Sequence, residues 1–317
     1  MSPTHSSQKL SLLRQQFLFS ALFIILWSPG FVIAKVGLQY ATPFTFIAIR
    51  LILAAMVMVV FVWLVKSPWP HQWKSILHLA ISGIFLHAVY LGASWSAVYQ
   101  QVPVGLVAIV AGLQPLLTGI LAGPMLGEKV AAKQWIGLLL GFLGVALIVE
   151  PKLENAIISV QGLLLVILAL FSITLGTLYQ KKFCQGIDMR AGQVIQLVAA
   201  LLVIAPMTYL PGEGNVSWAW PFVFTLLWLS VLMSVGAISI LGWLIRRGAV
   251  SSVAVIFYII PPLTTLYAHI LFGENLGWLG ILGMAVIMLG LGLALSPRLS
   301  KKATMPPVLA EPMTIKQ

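Results

Sequence analysis

Ten apolar stretches, joined by short polar connections, dominate the pattern of hydrophobic and polar positions along the chain. Each is close to the ~20 residues that a helix needs to cross the hydrocarbon core of a bilayer. The pattern therefore predicts an all-α polytopic membrane protein with ten transmembrane helices. They cover residues 17–37, 43–65, 74–99, 103–126, 133–149, 159–180, 191–210, 218–243, 250–272 and 277–296.

The second half of this pattern repeats the first at a constant offset of 146 residues. Pro115 and Pro261 give this offset (261 minus 115). Glu128 and Glu274 have the same offset. Five spans in each half is an odd number, so the two copies are predicted to enter the membrane in opposite directions, as inverted five-helix repeats. The predicted repeats are residues 17–150 and 159–296. Other pairs at this offset are Lys35 with Lys181, Gly137 with Gly283, Gly144 with Gly290, and Arg50 with Gln196.

The composition is that of a protein in lipid. Hydrophobic residues make up 60% and charged residues 8% of the 317 residues, with a mean hydropathy of +1.04, whereas about 25% of residues in soluble domains are charged. The net charge of +11 would by itself suit nucleic acid, but the charges lie at the ends of apolar runs. The lipid bilayer, not nucleic acid, is therefore the predicted partner. The single cysteine, Cys184, excludes a disulfide framework within the chain, and no metal or cofactor is expected.

Lysine and arginine are distributed unequally between the two sides of the predicted topology. One side, including both tails, contains 15 of the 18; the other contains Lys35 and Lys152, and Arg50 lies inside the second span. Since cytoplasmic loops of membrane proteins are rich in Lys and Arg, the tails 1–16 and 297–317 are predicted to be cytoplasmic. The expected location is the plasma membrane, which in a bacterium is the inner membrane.

Several residues and motifs together carry a family resemblance. They are Trp27, Lys35, Arg50–Ala55, Val104–Glu128, Gln134–Gly137 and Gly144–Val145 in the first half, and Gln196, Arg246–Ala249, Pro261 and Gly273–Glu274 in the second. In these features the chain, from about Phe17 to Leu295, resembles the ten-helix, EamA-domain members of the drug/metabolite transporter superfamily. Members export amino acids, other metabolites or toxic compounds, generally driven by ion gradients. The resemblance implies a small-molecule substrate and a coupling ion, and raises the possibility of a homodimer.

Pro115 and Pro261 fall in the middle of the fourth and ninth spans. A proline inside a helix removes a backbone hydrogen bond, and in a membrane the freed carbonyl needs another partner or a cavity. Two interpretations stay open, which are a packing kink and a pair of kinks along the substrate pathway. Pro262 departs from the family pattern and could change the bend of the ninth helix.

Glu128 and Glu274 lie at the ends of the fourth and ninth spans, on opposite membrane faces in the predicted topology. Each is either a gating or coupling residue, or a helix-end residue that fixes a tight turn through hydrogen bonds. Lys35 is a third gating candidate. It is close to the outer end of the first span, so snorkelling of its side chain to the surface is the alternative.

Arg50 is the one arginine placed inside an apolar span. It is seven residues beyond Pro43, about 10 Å into a hydrocarbon core of ~30 Å. An arginine at the bilayer centre costs at least ~2.5 kcal/mol, so such residues usually face a bundle interior or a wet cavity. We predict that Arg50 faces the substrate pathway, opposite its repeat counterpart Gln196. Snorkelling to the outer surface is the alternative.

Other polar and aromatic residues within the spans are further candidates for the substrate pathway, with helix packing as the alternative: Trp27, Tyr90, Trp95, Gln114 and Tyr258. His87 and Gln193 are more simply explained by hydrogen bonds between helices. The glycines at 137, 141 and 144 share one face of the fifth span, which indicates close helix packing.

Two classes of function are compatible with these observations. The first is a secondary transporter that works by alternating access and exports small metabolites, amino acids or drugs. The second is a membrane-embedded enzyme or lipid-handling protein. The sequence contains no Walker-type phosphate loop, no HExxH and no GxSxG, and few acid or base groups lie within the spans. These absences favour the transporter and predict that the protein is not an enzyme.

Overall fold

The computed structural model describes residue 15, residues 17–127, 132–154, 158–237, 240, 244, 250–275 and 277–295. Ten helical elements, α1 to α10, follow one another in these residues. Their bounds are Phe17–Gly37 (α1), Pro43–Leu64 (α2), Trp73–Tyr99 (α3), Val104–Leu126 (α4), Ala132–Glu154 (α5), Val160–Phe183 (α6), Met189–Met207 (α7), Trp220–Leu227 continued by Trp228–Ala237 (α8), Val250–Phe272 (α9) and Gly277–Leu295 (α10).

The predicted all-helical character is confirmed, and most predicted boundaries agree with the helices to within about three residues. α5 extends beyond the predicted end at 149 to Glu154, because a helix that leaves the apolar core can continue with polar residues. The prediction for α8 ran to residue 243, and residues 238, 239 and 241–243 lie outside the described part of the chain.

The helices are those of a polytopic membrane protein. By length and composition α1, α2, α3, α4, α6 and α7 are each long and apolar enough to cross a bilayer, while the other four contain shorter apolar stretches. Large apolar side chains such as Trp63, Leu139 and Leu202 are more than 60% exposed on the outside of the bundle. Such an apolar exterior is matched to lipid, where no hydrophobic force drives these side chains inward.

α1 is interrupted at Ser28 and Pro29. Pro29 has no N–H to continue the helical ladder, so nearby carbonyls need other partners. The Ser28 hydroxyl donates to the Ile24 carbonyl at 2.7 Å, and the Ser28 carbonyl accepts from the Thr264 hydroxyl of α9 at 2.6 Å. The break in α1 therefore ties it to α9, as backbone irregularities within a membrane require.

α4 is interrupted at Gly112 and Leu113, immediately before Gln114 and Pro115 begin its second half. α9, in contrast, stays helical through Pro261 and Pro262. The two elements meet here, because a side chain at Gly112 would place its Cβ 2.8 Å from the Pro261 ring. Pro115 and Pro261 thus have different local backbones. Pro261 packs against the break in α4 that precedes Pro115.

Two π-helical segments widen the helical turn in the middle of the bundle. They are Ile84–Val89 within α3 and Trp228–Ala237 within α8. Adding the repeat offset of 146 to Ile84–Val89 gives 230–235, inside the second segment. Short π-helical segments are rare and occur often at functional sites.

α5 and α10 pack backbone to backbone along a seam of glycines. A Cβ at Gly144 would lie 2.5 Å from the Gly283 carbonyl oxygen, and one at Gly290 would lie 2.7 Å from the Gly137 carbonyl oxygen. The repeat offset exchanges these two contacts, since it relates Gly137 to Gly283 and Gly144 to Gly290. The predicted glycine face of α5 is therefore used for packing inside the chain.

The α1–α2 and α7–α8 connections are joined at one end of the bundle. Ala41 and Val216 form an isolated antiparallel bridge, and the Ser217 amide donates to the Tyr40 carbonyl at 2.7 Å. Glu213 accepts hydrogen bonds from the backbone amides of Phe44 and Thr45 at 3.1 and 3.2 Å. This carboxylate caps the start of α2, where helix N–H groups lack partners.

Candidate functional site

A cavity of about 260 Å³ lies between helices of the two halves of the chain. Its walls come from α1, α2 and α3 of the first half and from α6, α7, α8 and α9 of the second. Both π-helical segments contribute, through Leu86 and His87 and through Leu229, Met233 and Ser234. Ligand pockets are commonly ~300–1,000 Å³, so this cavity of about 260 Å³ is slightly below that range and suits a small solute.

Arg50 reaches this cavity from α2. Its Nε and Nη1 atoms are buried and have no hydrogen-bond partner among the described residues. Its Cζ atom lies 5.5 Å from the centroid of the Trp95 ring, within the range of a cation–π contact. Trp95 is itself fixed by Phe46, with ring centroids 4.6 Å apart. Arg50 is therefore a buried cation that is positioned by packing and whose Nε and Nη1 donors have no partner among the described residues.

The remaining cavity wall is mainly aromatic and aliphatic. Trp27, Phe31, Tyr90 and Met233 line it, and Trp27 stacks on Phe23 with ring centroids 5.3 Å apart. Its other polar residues are His87, Gln193, Ser234 and Thr264. The Thr264 and Ser234 hydroxyls donate to backbone carbonyls at 2.6 and 3.4 Å.

No carboxylate lines the cavity among the residues that the structure describes. The chain has seven acidic residues, and their sequence positions place each outside the apolar middle of a span: Glu128, Glu150, Glu154, Asp188, Glu213, Glu274 and Glu311. In the same part of the chain, no group of three His, Cys, Asp or Glu side chains is placed to hold a metal ion.

Four of the residues predicted for the substrate pathway come together in this cavity: Trp27, Arg50, Tyr90 and Trp95. Pro261 is buried beside two lining residues, Ile260 and Thr264, without lining the cavity itself. The side chain of Tyr258 and the whole of Glu128 lie outside the described residues.

Gln196 lies elsewhere than the position predicted for it opposite Arg50. Its amide donates to the Ser82 hydroxyl and to the Gln180 side-chain oxygen, both at 2.9 Å, and it is buried between α3, α6 and α7. Gln193, one turn earlier in α7, lines the cavity instead.

Gln114 and Pro115 also lie away from the cavity wall. The Gln114 amide donates to the Thr177 hydroxyl of α6 at 3.1 Å. This contact matches the alternative explanation of Gln114, a hydrogen bond between helices.

Glu274 and Lys35 form a second polar cluster at one end of the bundle. The Lys35 Nζ atom lies 2.7 Å from Glu274 Oε1. The same carboxylate accepts from the backbone amides of Val104 and Gly105 at 3.0 and 3.1 Å, which caps the N-terminus of α4. Lys35 also lies 4.3 Å from the centroid of the Phe272 ring. One carboxylate thus joins α1, α4 and the end of α9.

Sequence reasoning missed three features of the site. Neither π-helical segment was predicted. Once one segment is known, the repeat offset gives the position of the other. Gln193 was assigned to helix packing rather than to the pathway. Glu213 was not singled out, because it caps the start of α2 from a connection 169 residues away from Phe44 in the sequence.

A solute-sized cavity buried between the halves of a polytopic helical protein is the architecture of a membrane transport protein. The chain belongs to the EamA-like transporter family, whose sequence model matches residues 16–150 and again residues 160–296. The resemblance deduced from the sequence is thereby confirmed, and the protein has a small-molecule substrate and a lipid environment.

Curated relatives cover nearly the whole chain. It is 28% identical over 298 residues to "Uncharacterized transporter YvbV" of Bacillus subtilis, covering 90% of this chain and 93% of that protein. It is 26% identical over 287 residues to "Probable amino-acid metabolite efflux pump" of Salmonella typhimurium, covering 88% and 94%. It is 26% identical over 302 residues to "Uncharacterized inner membrane transporter YedA" of Escherichia coli K12, covering 88% and 92%.

The fold is also shared with a protein solved by crystallography. Its title is "Crystal structure of protein", and the two chains superpose with a TM-score of 0.60 at 19% sequence identity. The match covers 89% of this chain and 97% of the other. At this identity the similarity concerns the fold alone.

Proposed function

We propose that the protein is a secondary transporter that exports a small metabolite by alternating access, with the central cavity as its substrate site. The observation that carries this proposal is the cavity itself, which is walled by both halves and by the two π-helical segments. In secondary transporters the substrate site lies at the interface of two repeats, where irregular helices free backbone groups. The break in α1 adds a third irregular element at the same level.

The proposed membrane architecture is ten transmembrane helices in two inverted repeats. Two observations support it. The offset of 146 relates the two glycine contacts between α5 and α10 to each other, and it also relates the positions of the two π-helical segments. In the proposed topology Lys66, Lys74 and Arg190 lie on the cytoplasmic side, together with both tails. Lys35 and Glu274 then lie on the external side.

We further propose that the Lys35–Glu274 cluster keeps the external side closed. The cluster joins helices of both halves, since α1 and α4 belong to the first half and α9 to the second. Opening a pathway between them requires this ion pair and its backbone hydrogen bonds to separate. Glu128, the repeat counterpart of Glu274, is proposed for the equivalent role on the cytoplasmic side from the offset alone.

Two of the relatives, from Salmonella typhimurium and Escherichia coli K12, are named "Probable amino-acid metabolite efflux pump", which supports export as the direction of flux. An ion gradient is the proposed energy source, because the chain has no phosphate-binding loop for ATP. A homodimer stays a prediction from the family resemblance.

Counterflow in proteoliposomes tests the proposed function. Vesicles loaded with an unlabelled solute should accumulate the same labelled solute without covalent change, and formation of a product would instead indicate an enzyme. Gly30→Leu should abolish counterflow, because its side chain would extend into the cavity beside the end of the Met233 side chain. The matched control is Gly292→Leu in α10, where no atom lies within 4 Å of an added Cβ. Equal counterflow in both variants would remove the cavity from the pathway.

A further inference from the structure

The electrostatics of the central cavity favour one sign of charge. Arg50 lines the cavity with a permanent positive charge, and its buried Nε and Nη1 donors have no hydrogen-bond partner among the described residues. A guanidinium cannot lose its charge in a protein at physiological pH, and a buried charge without a partner is costly. A ligand that supplies an anionic group to Arg50 is therefore favoured over a neutral ligand of the same shape.

The planar guanidinium of Arg50 also defines the shape of that anionic group. A planar guanidinium matches a carboxylate, which can accept two parallel hydrogen bonds from it. Trp95 holds the guanidinium against its ring and limits its rotation. A carboxylate thus meets a guanidinium that packing already holds in position, so little side-chain entropy is lost on binding.

The rest of the cavity suits an uncharged, apolar body. Trp27, Phe31 and Met233 form the wall, and no carboxylate among the described residues is there to neutralise an ammonium group. An ammonium would instead lie within a small cavity that already holds the Arg50 charge, where like charges repel strongly because little water screens them. The Trp95 ring, which attracts cations, is already occupied by Arg50.

We propose that the cavity selects an organic carboxylate with an apolar body and no ammonium group, and that Arg50 binds its carboxylate. This inference rests on the proposed function and names the substrate class of the same site. Zwitterionic amino acids are rejected because no negative group among the described residues of the cavity wall balances their ammonium group. Specificity here comes from an unfavourable interaction with the competing ligand.

Four probes that share a phenyl body separate the contributions of the two charges. Hydrocinnamate has the carboxylate alone, phenylalanine has carboxylate and ammonium, phenethylamine has the ammonium alone, and hydrocinnamamide has neither. Binding to the purified full-length protein is measured by isothermal titration calorimetry. We expect hydrocinnamate to bind at least about tenfold more tightly than each of the other three, the effect of one charge-assisted hydrogen bond or more.

Substitutions at two cavity positions test the role of the charge. Arg50→Lys should weaken hydrocinnamate binding about tenfold, because a point charge replaces the planar fork, and Arg50→Gln should weaken it further. The control is Arg190→Lys, an exposed arginine that pairs with Asp188 away from the cavity, and it should leave binding unchanged. Gln193→Glu introduces a carboxylate into the wall and should reverse the preference, so that phenylalanine binds more tightly than hydrocinnamate. A reversal of preference cannot arise from loss of folding.

The outcomes distinguish the substrate class from the function. Preference for hydrocinnamate without any counterflow would support the class and contradict transport. Counterflow of phenylalanine or phenethylamine in preference to hydrocinnamate would support transport and overturn the proposed class. Equal affinity for hydrocinnamate and hydrocinnamamide, or an unchanged hydrocinnamate affinity in Arg50→Lys, would also overturn it.

Discussion

Lys35 and Glu274, which are 239 residues apart in the sequence, form an ion pair with 2.7 Å between Nζ and Oε1. The pair is partly exposed, with side-chain accessibilities of 21% and 14%. Its energetic value is therefore modest by itself, and its importance lies in what it connects. Because Glu274 also caps α4, separating the pair releases α1 and α9 from the start of α4.

Removing the Glu274 carboxylate should open the external side more than removing its lysine partner. Lys35→Met loses a partly screened ion pair worth about 0–1 kcal/mol, whereas Glu274→Ala also leaves two backbone amides without their acceptor, at an added cost of about 1 kcal/mol. We expect a cysteine at Met233, in a Cys184→Ser background, to react faster with an impermeant maleimide from outside cells in Glu274→Ala than in Lys35→Met.

The control for this measurement is Asp188→Ala, which removes a carboxylate that pairs with Arg190 at the other end of the bundle. It should leave the external labelling rate of the cavity cysteine unchanged. Identical rates in Glu274→Ala and the parent protein would show that the cluster does not close the external side.

The effect of a glycine substitution on stability should depend on whether the glycine lies in the seam between α5 and α10. Gly144→Ala places a Cβ against the Gly283 carbonyl at 2.5 Å, and relief of such overpacking costs about 1–3 kcal/mol. Gly292→Ala in α10 meets no atom within 4 Å and should stabilise the helix by up to about 1 kcal/mol. Thermal unfolding of the two purified variants checks the sign of each change, and a stable Gly144→Ala protein would contradict the seam.

The contact between Gly112 and Pro261 should appear as a non-additive pair. Gly112→Ala places a Cβ 2.8 Å from the Pro261 ring and should lower stability. In Pro261→Ala the ring is absent and α9 regains a backbone hydrogen bond, so the double variant should recover part of the loss. A double-mutant cycle measured by thermal unfolding gives this coupling, and strict additivity would rule out the contact.

Loss of the prolines should affect transport more than folding. If Pro115 and Pro261 shape the pathway, the double Pro→Ala variant should insert normally, unfold at an equal or higher temperature, and lose counterflow. Normal counterflow in that variant would leave packing as their only role.

Cys184 should be a slow probe of topology. It follows α6 and is buried, with 5% of its surface exposed, and burial raises the pKa of its thiol. Since the thiolate is the reactive form, maleimide labelling at neutral pH should be slow and should accelerate as pH rises towards the raised pKa. We expect this in inside-out vesicles and not in intact cells, with detergent-denatured protein as the control. Rapid labelling of intact cells would reverse the proposed orientation.

The sequence was sufficient to locate the helices and one half of the cavity. Arg50, Trp27, Tyr90 and Trp95 were identifiable because a charge or large aromatic ring deep in an apolar span needs a reason to be there. Most helix bounds were predicted correctly because the length of an apolar run is visible in the sequence itself. A single chain could not show how each helix is rotated about its axis.

The case of Gln193 and Gln196 illustrates that limit. The two residues are one turn apart in α7, and only tertiary packing decides which one faces the cavity. Gly83 of α3 packs directly against the backbone of Gln196, since a Cβ added at Gly83 would collide with the Gln196 Cα atom. This contact turns the Gln196 side chain towards Ser82. Glu274 presents the same difficulty, because its backbone partners at Val104 and Gly105 are brought to it by the fold rather than by sequence proximity.

The π-helical segments in α3 and α8 also affect how the two halves of the chain stay in register. A π-helical turn closes its backbone hydrogen bond one residue further along the chain than an α-helical turn, so it accommodates one additional residue. The offset of 146 holds before the segments, between Lys35 and Lys181, and after them, between Pro115 and Pro261. An insertion in one half alone, after duplication, would have changed the later offset by one. The additional helical residue therefore occurs at equivalent positions in both halves of the chain, and it leaves their register unchanged.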